Sequence, residues 1–150
     1  MREILFRGKA DKNYYPYIDQ WVQGSYIHQT EFYGDPVDHH WIMYTGEFDG
    51  DFYDAVRIIA KTLGQYTGLV DKNGNKIFEG DILKYTPRPN CEIYYKVIWQ
   101  QEYSRFAFVQ WSTHKYQLYE RAENETAKYM CEVIGNIHDD PELLEKLEAK

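Results

Sequence analysis

The sequence predicts a mostly-β protein built from two small packed β units, the C-terminal one an SH3-like or OB-like barrel, with a short helix at the C-terminus. Three observations carry this. Aromatic residues make up 17% of the 150-residue chain, with 15 Tyr, 7 Phe and 4 Trp, and such side chains suit pleated, half-buried surfaces. About five β-type segments follow one another between Leu69 and Ile137, separated by turn residues at the spacing of small all-β folds. The chain then changes character at Asp140-Pro141, where the apolar residues adopt helical spacing. The division reads as 1–62 for an N-terminal β-rich unit and 63–150 for the barrel-like unit with its helix. No Gly/Ser linker separates them, so a single compact domain is compatible with the same pattern.

Taken in order, Glu3–Lys9 reads as a first strand and Asp11–Tyr15 as a turn broken by Pro16. Trp21–Ile27 is a strand whose Gly24 suggests a bulge or a close backbone approach. Glu31–Asp38 (EFYGDPVD) has turn chemistry, and His40–Thr45 reads as another strand. Gly46–Asp54 is an exposed acidic loop. Val56–Ala60 is too short for its period to separate helix from strand. Asn73-Gly74, between Leu69-Val70 and Ile77-Phe78, predicts a type I′ hairpin. A tight turn at Glu79-Gly80 leads into a strand over Asp81–Tyr85.

Thr86–Asn90, with two prolines, reads as a loop. Strands follow at Glu92–Trp99, Phe106–Trp111 and Tyr116–Glu120. In FAFVQW both alternating faces are largely apolar, as in a strand covered on both sides. Glu123–Glu125 reads as a polar turn and Tyr129–Ile137 as the last strand, broken at Gly135. Asp140 as cap, Pro141 at the first helical position and Leu143, Leu144 and Leu147 on one face predict the terminal helix.

Three blocks, MREILFRGK, GQYTGLVDKNGNKIFEGDILKY and EVIGNIHDDPELLE, resemble the YopX-like proteins in sequence, order and spacing. The resemblance spans nearly the whole chain. That family occurs mostly in phages and prophages of low-GC Gram-positive bacteria and some other bacteria. The resemblance implies a predominantly β fold of two small units and brings no established activity. Just before Gly64 this chain has AKTL, where relatives often carry an acidic or proline-containing lead-in.

Composition narrows the function classes. A formal net charge of −7 is a deficit of the cations that phosphate binding needs, which disfavours nucleic acid as a partner. Cys91 and Cys131 are too isolated for a disulfide framework or a zinc knuckle. No apolar run approaches the ~20 residues of a bilayer span, and charged residues follow Met1 directly, so the cytoplasm is expected. No GxSxG, P-loop or GxGxxG occurs, and an enzyme is not expected.

A metal site, catalytic residues and cofactors are likewise not expected. Adjacent His39 and His40 point to opposite strand faces. The i, i+2 pair Asp38 and His40 serves a metal better, with His28 and Asp35 nearby in sequence, but a third ligand must come from another segment. Glu47, Asp49, Asp51 and Asp54 lack the EF-hand pattern. The expected function is a phage or prophage accessory module that binds a protein. The alternative is a single-stranded nucleic-acid module using an aromatic face that includes Trp99 and Trp111. Gln65, Tyr66 and Thr67 are the residues of the central block without an obvious turn or core role, so they join Trp99 and Trp111 as candidate binding residues. Unpaired sheet edges are also compatible with homo-oligomerisation.

Overall fold

The computed structural model describes residues 3–16, 20–43, 55–111, 117–121 and 124–148. It is mostly strand and divides into two compact units, Met1–Tyr66 and Thr67–Lys150.

Unit 1 is an antiparallel sheet. β1 (Phe6–Lys9) pairs with β2 (Trp21–Phe32), β2 with β3 (Asp35–Met43), and β3 with β4 (Ala55–Arg57). On its other side β1 meets the start of β5 (Gly64–Val70) through Phe6↔Gln65 and Arg7↔Gly64. The ambiguous Val56–Ala60 run ends β4, forms a bridge from Ile58 to Ala10, and enters a 3-10 turn at Ala60–Thr62. Ala10, Val22, Ile42, Val56 and Ile58 form the core, flanked by Phe6, Tyr15, Tyr26 and Leu63. Gly8 is required by close approach, because a Cβ there would lie 2.4 Å from Ile58 Cδ1 and 3.0 Å from its Cβ.

Residues 31–38, expected as a turn, are mostly strand. β2 runs to Phe32 and β3 starts at Asp35, with Phe32 and Asp35 paired. Only Tyr33 and Gly34 turn, both at positive φ (49° and 87°), as in a type I′ hairpin. The expected acidic loop, Gly46–Asp54, lies outside the described residues.

Unit 2 contains the end of β5, whose neighbour is β6 (Lys76–Phe78), and a five-stranded antiparallel sheet. That sheet consists of β7 (Asp81–Arg88), β8 (Cys91–Gln100), β9 (Arg105–Trp111), β10 (Gln117–Arg121) and β11 (Cys131–Asn136). Its order is β10-β9-β8-β7-β11. The expected SH3-like or OB-like barrel is not closed among the described strands, because no pairing joins β10 to β11. Ile77, Leu83, Tyr95, Val97, Phe108, Ala127 and Cys131 form the core. Each large side chain in it contributes about 1.5–3 kcal/mol by leaving water. Phe106, Ala107, Phe108 and Val109 are all buried, so β9 is covered on both faces.

Three local elements differ from the sequence expectation. The proline-containing stretch is not all loop: β7 continues to Arg88, with Pro87 in the irregular register between Tyr85 and Arg88, where a missing ladder N–H is tolerated. Glu123–Glu125 is not simply a turn, because α1 (Asn124–Met130) starts there, and the last strand begins at Cys131 rather than Tyr129. The Asn73-Gly74 hairpin is present but is not type I′. Only Gly74 has positive φ (84°), and its N–H donates to Asp71 O at 3.0 Å. This is a type I turn followed by a left-handed residue. The terminal helix α2 (Pro141–Glu148) starts at Pro141 as expected.

The Asp71 carboxylate organises that turn. It is buried and accepts the N–H groups of Asn73 and Asn75, the Asn75 amide, and across the unit the Val133 N–H at 3.0 Å. Burial alone pushes this carboxyl up, but the N–H groups of Val133 and Asn75 lead a set of hydrogen bonds that hold it below the ordinary carboxylate range. A folded-state pKa lowered this way contributes stability above the unfolded-state value of ~3.9, and the contribution is lost as pH falls through the folded-state value. Asp71→Ala leaves several donors unpaired and is expected to cost about 2–4 kcal/mol at neutral pH. In thermal melts the gap between wild type and variant should close as pH falls below the ordinary carboxylate range.

Candidate functional site

The β2–β3 hairpin is longer than the core it helps to cover, and its core-facing side changes chemistry along its length. On β2 that side reads Val22, Gly24, Tyr26, His28, and on β3 it reads Ile42, His40, Asp38. Side chains two apart share a face. Val22 and Ile42 are buried, Tyr26 and His40 half-buried, and His28 and Asp38 exposed. Beyond the core, apolar residues thus give way to a phenol, two imidazoles and a carboxylate.

Register brings these groups together. His28 and His40 are directly opposed, and their rings stack with centroids 4.6 Å apart and 9° between planes. The next pairs are Gln29↔His39 and Glu31↔Pro36, so Val37 and Asp38 together face the single residue Thr30. Such a bulge re-aims a side chain. Asp38 Oδ1 lies 2.6 Å from His28 Nε2 and 3.2 Å from His40 Nε2. On the far side of the His40 ring, Nδ1 is 2.7 Å from the Tyr26 hydroxyl.

The surroundings shift two of these groups. The hydrogen bond from His28 holds the Asp38 carboxyl below its ordinary value, against slight burial and with the charges of both imidazoles adding to the effect. Burial, and then the Asp38 charge, push the Tyr26 phenol up. The donor atoms of His28, Asp38 and His40 all lie within 4.8 Å of one another, a spacing at which three side chains can share a proton network or a cation.

His39 is on the other face, edge-on to Trp41 at 6.1 Å, as strand alternation predicts. Asp35 is at the hairpin turn, paired with Phe32. What the sequence did not indicate was the extension of strand structure through residues 31–38. Without it, His28 has no reason to face Asp38 and His40, and Tyr26 has no connection to them.

The binding residues expected from the sequence are divided between the two units. Gln65 and Tyr66 belong to unit 1, and Thr67, Trp99 and Trp111 to unit 2. Gln65 is half-buried opposite Phe6, and Tyr66 is buried with its N–H donating to Leu5 O. Thr67 is buried, donates its hydroxyl to Ile77 O at 2.8 Å and accepts the Leu69 N–H. Trp99 is 37% exposed, donates its indole N–H to Gln101 Oε1 at 2.9 Å, and sits edge-on to Phe106. The Trp111 side chain lies outside the described residues. Cys91 is half-buried and Cys131 buried, and neither is in a disulfide.

These features define a β-rich protein of two units with a histidine–carboxylate cluster on an overlong hairpin. The model of the YopX protein family matches residues 6–145, and the chain belongs to that family. Among solved structures it is similar to protein EF1440 from Enterococcus faecalis, with 21% identity and a TM-score of 0.49, covering 96% of this chain and 99% of that one. No curated protein matches the chain. No helix among the described residues is long and apolar enough to cross a membrane.

The hydrogen bond from His28 gives a direct test of the cluster in metal-free protein. Carboxyl-detected NMR should show Asp38 titrating below the ordinary aspartate range. In His28→Ala the titration should move up toward that range, whereas His39→Ala should leave it in place.

Proposed function

We propose that this YopX-family chain is a non-enzymatic accessory protein of phage or prophage origin that acts in the cytoplasm by binding another protein. The observation carrying this reading is the end of the β2–β3 hairpin. Phe32 and Tyr33 are 53% and 93% exposed and meet edge to face at 4.6 Å. Ile27 and Met43 are also exposed, on the hairpin face opposite His28 and His40. Aromatic side chains give large contact area at little side-chain conformational cost, which is how binding hot spots are built. The acidic net charge of −7 favours a protein ligand with a basic surface over a polyphosphate backbone.

Affinity capture with the full chain from prophage-induced cells tests this. Wild type is expected to recover a specific protein, and the double variant Phe32→Ser, Tyr33→Ser to recover much less of it. Loss of a hot-spot aromatic of about 2 kcal/mol corresponds to roughly 30-fold in affinity. Both positions are exposed, so circular dichroism and melting temperature should be nearly unchanged. Equal recovery by both proteins, or nothing above background with either, overturns the proposal.

A further inference from the structure

We infer that the β2–β3 hairpin of unit 1 is a binding site for one zinc ion, held by His28 Nε2, His40 Nε2 and the Asp38 carboxylate. This does not rest on the protein-binding reading, which uses the hairpin tip and the opposite face.

The donor set suits zinc by chemistry and by spacing. Imidazole nitrogen selects first-row transition ions, whereas calcium and magnesium require shells of oxygen. Two imidazoles and one carboxylate with further positions open is the ligand count of three-residue zinc centres. Zinc bonds to nitrogen and oxygen run about 2.0–2.2 Å, which sets donor atoms about 3.3 Å apart around a tetrahedral ion. Here the carboxylate oxygen lies 2.6 Å and 3.2 Å from the two imidazole nitrogens, and all three donors are within 4.8 Å. The two stacked rings have to tilt toward a shared point for both nitrogens to reach one ion, and side-chain rotation of this kind converts the hydrogen-bonded cluster into a coordination shell without moving the backbone. The carboxylate is 79% exposed, which leaves the remaining positions on the ion to water or an incoming donor.

The backbone preorganises the set. His28 and His40 are fixed across an antiparallel ladder, Asp38 lies two residues from His40, and the bulge at Val37-Asp38 aims the carboxylate along the hairpin. Tyr26 supplies the outer contact. The tautomer of His40 that offers Nε2 to a metal carries its proton on Nδ1, and the Tyr26 oxygen 2.7 Å away accepts it. Groups that hold the second nitrogen of a ligating histidine fix both its tautomer and its ring orientation. Tyr26 is thus a positioning residue for the site.

The test is calorimetric titration of untagged, chelator-treated full-length protein with Zn²⁺, with Co²⁺ absorbance reporting coordination. Wild type is expected to bind one ion per chain with the visible absorption of a low-symmetry cobalt site. His28→Ala and Asp38→Asn, both at exposed positions, are expected to weaken binding at least tenfold. Tyr26→Phe should weaken it by about 10- to 100-fold. His39→Ala and Cys91→Ser should leave it unchanged, which separates this cluster from the opposite face and from the thiols. The inference is overturned if wild type binds no zinc, or if His28→Ala and Asp38→Asn bind it within tenfold of wild type.

Discussion

A slip of one residue between β2 and β3 would send His28 and His40 to opposite faces of the sheet, because side chains alternate with a period of two. The candidate site therefore depends on what pins this register. Two features do so. Val22 and Ile42 occupy the core, so a slip would expose them and bury Gln23 or Trp41 in their place. At the other end the two-residue Tyr33-Gly34 turn leaves no slack. Between those anchors the bulge at Val37-Asp38 is accommodated locally, so the irregularity falls where the carboxylate has to be aimed. Core packing thus determines the position of polar groups well beyond the core.

Unit 2 depends on a different device, the buried carboxylate. Asp71 closes the β5–β6 turn and also takes the backbone N–H of Val133 on β11. Asp81, buried at the start of β7, takes the Phe78 N–H at 2.8 Å. Both stand in the DKNG and EGDI portions of the central block. A buried carboxylate that accepts several backbone donors is a structural element, since the same donors left unpaired would be costly. The most recognisable stretch of the sequence therefore marks architecture.

How far the sequence could be read follows the range of the interactions concerned. Turns whose chemistry lies within four residues were legible, as at Gly74 and Gly80, although the Asp71 contacts shifted the Asn73-Gly74 turn away from type I′. The covered strand over Phe106–Trp111 was legible because both its faces are apolar. α1 was not, since Ala127 is the one fully buried residue among those described over Glu125–Met130, and a single anchor shows no period. Pro87 concealed the end of β7 because a bulge excuses the missing N–H. Asp38 and His40 have an i, i+2 spacing that suits ligation, but the third partner comes from β2 through a segment whose chemistry reads as a turn.

The hairpin that results has two chemically distinct faces from one alternating sequence. Tyr26, His28, Asp38 and His40 lie on the side that continues the core, and Ile27, Trp41 and Met43 lie on the other. In an antiparallel pair the backbone separates these sets, and a substitution on one face leaves the other's partners in place unless it changes the register. An ion held by His28, Asp38 and His40 would cross-link the two strands just where the bulge interrupts the ladder. It would then stiffen the lever that carries Phe32 and Tyr33 without touching either ring. Cross-strand coordination and tip recognition would then be coupled through hairpin rigidity alone. Any effect of zinc on partner affinity would come from the entropy of ordering that tip, and a tip already rigid in the metal-free protein would show none.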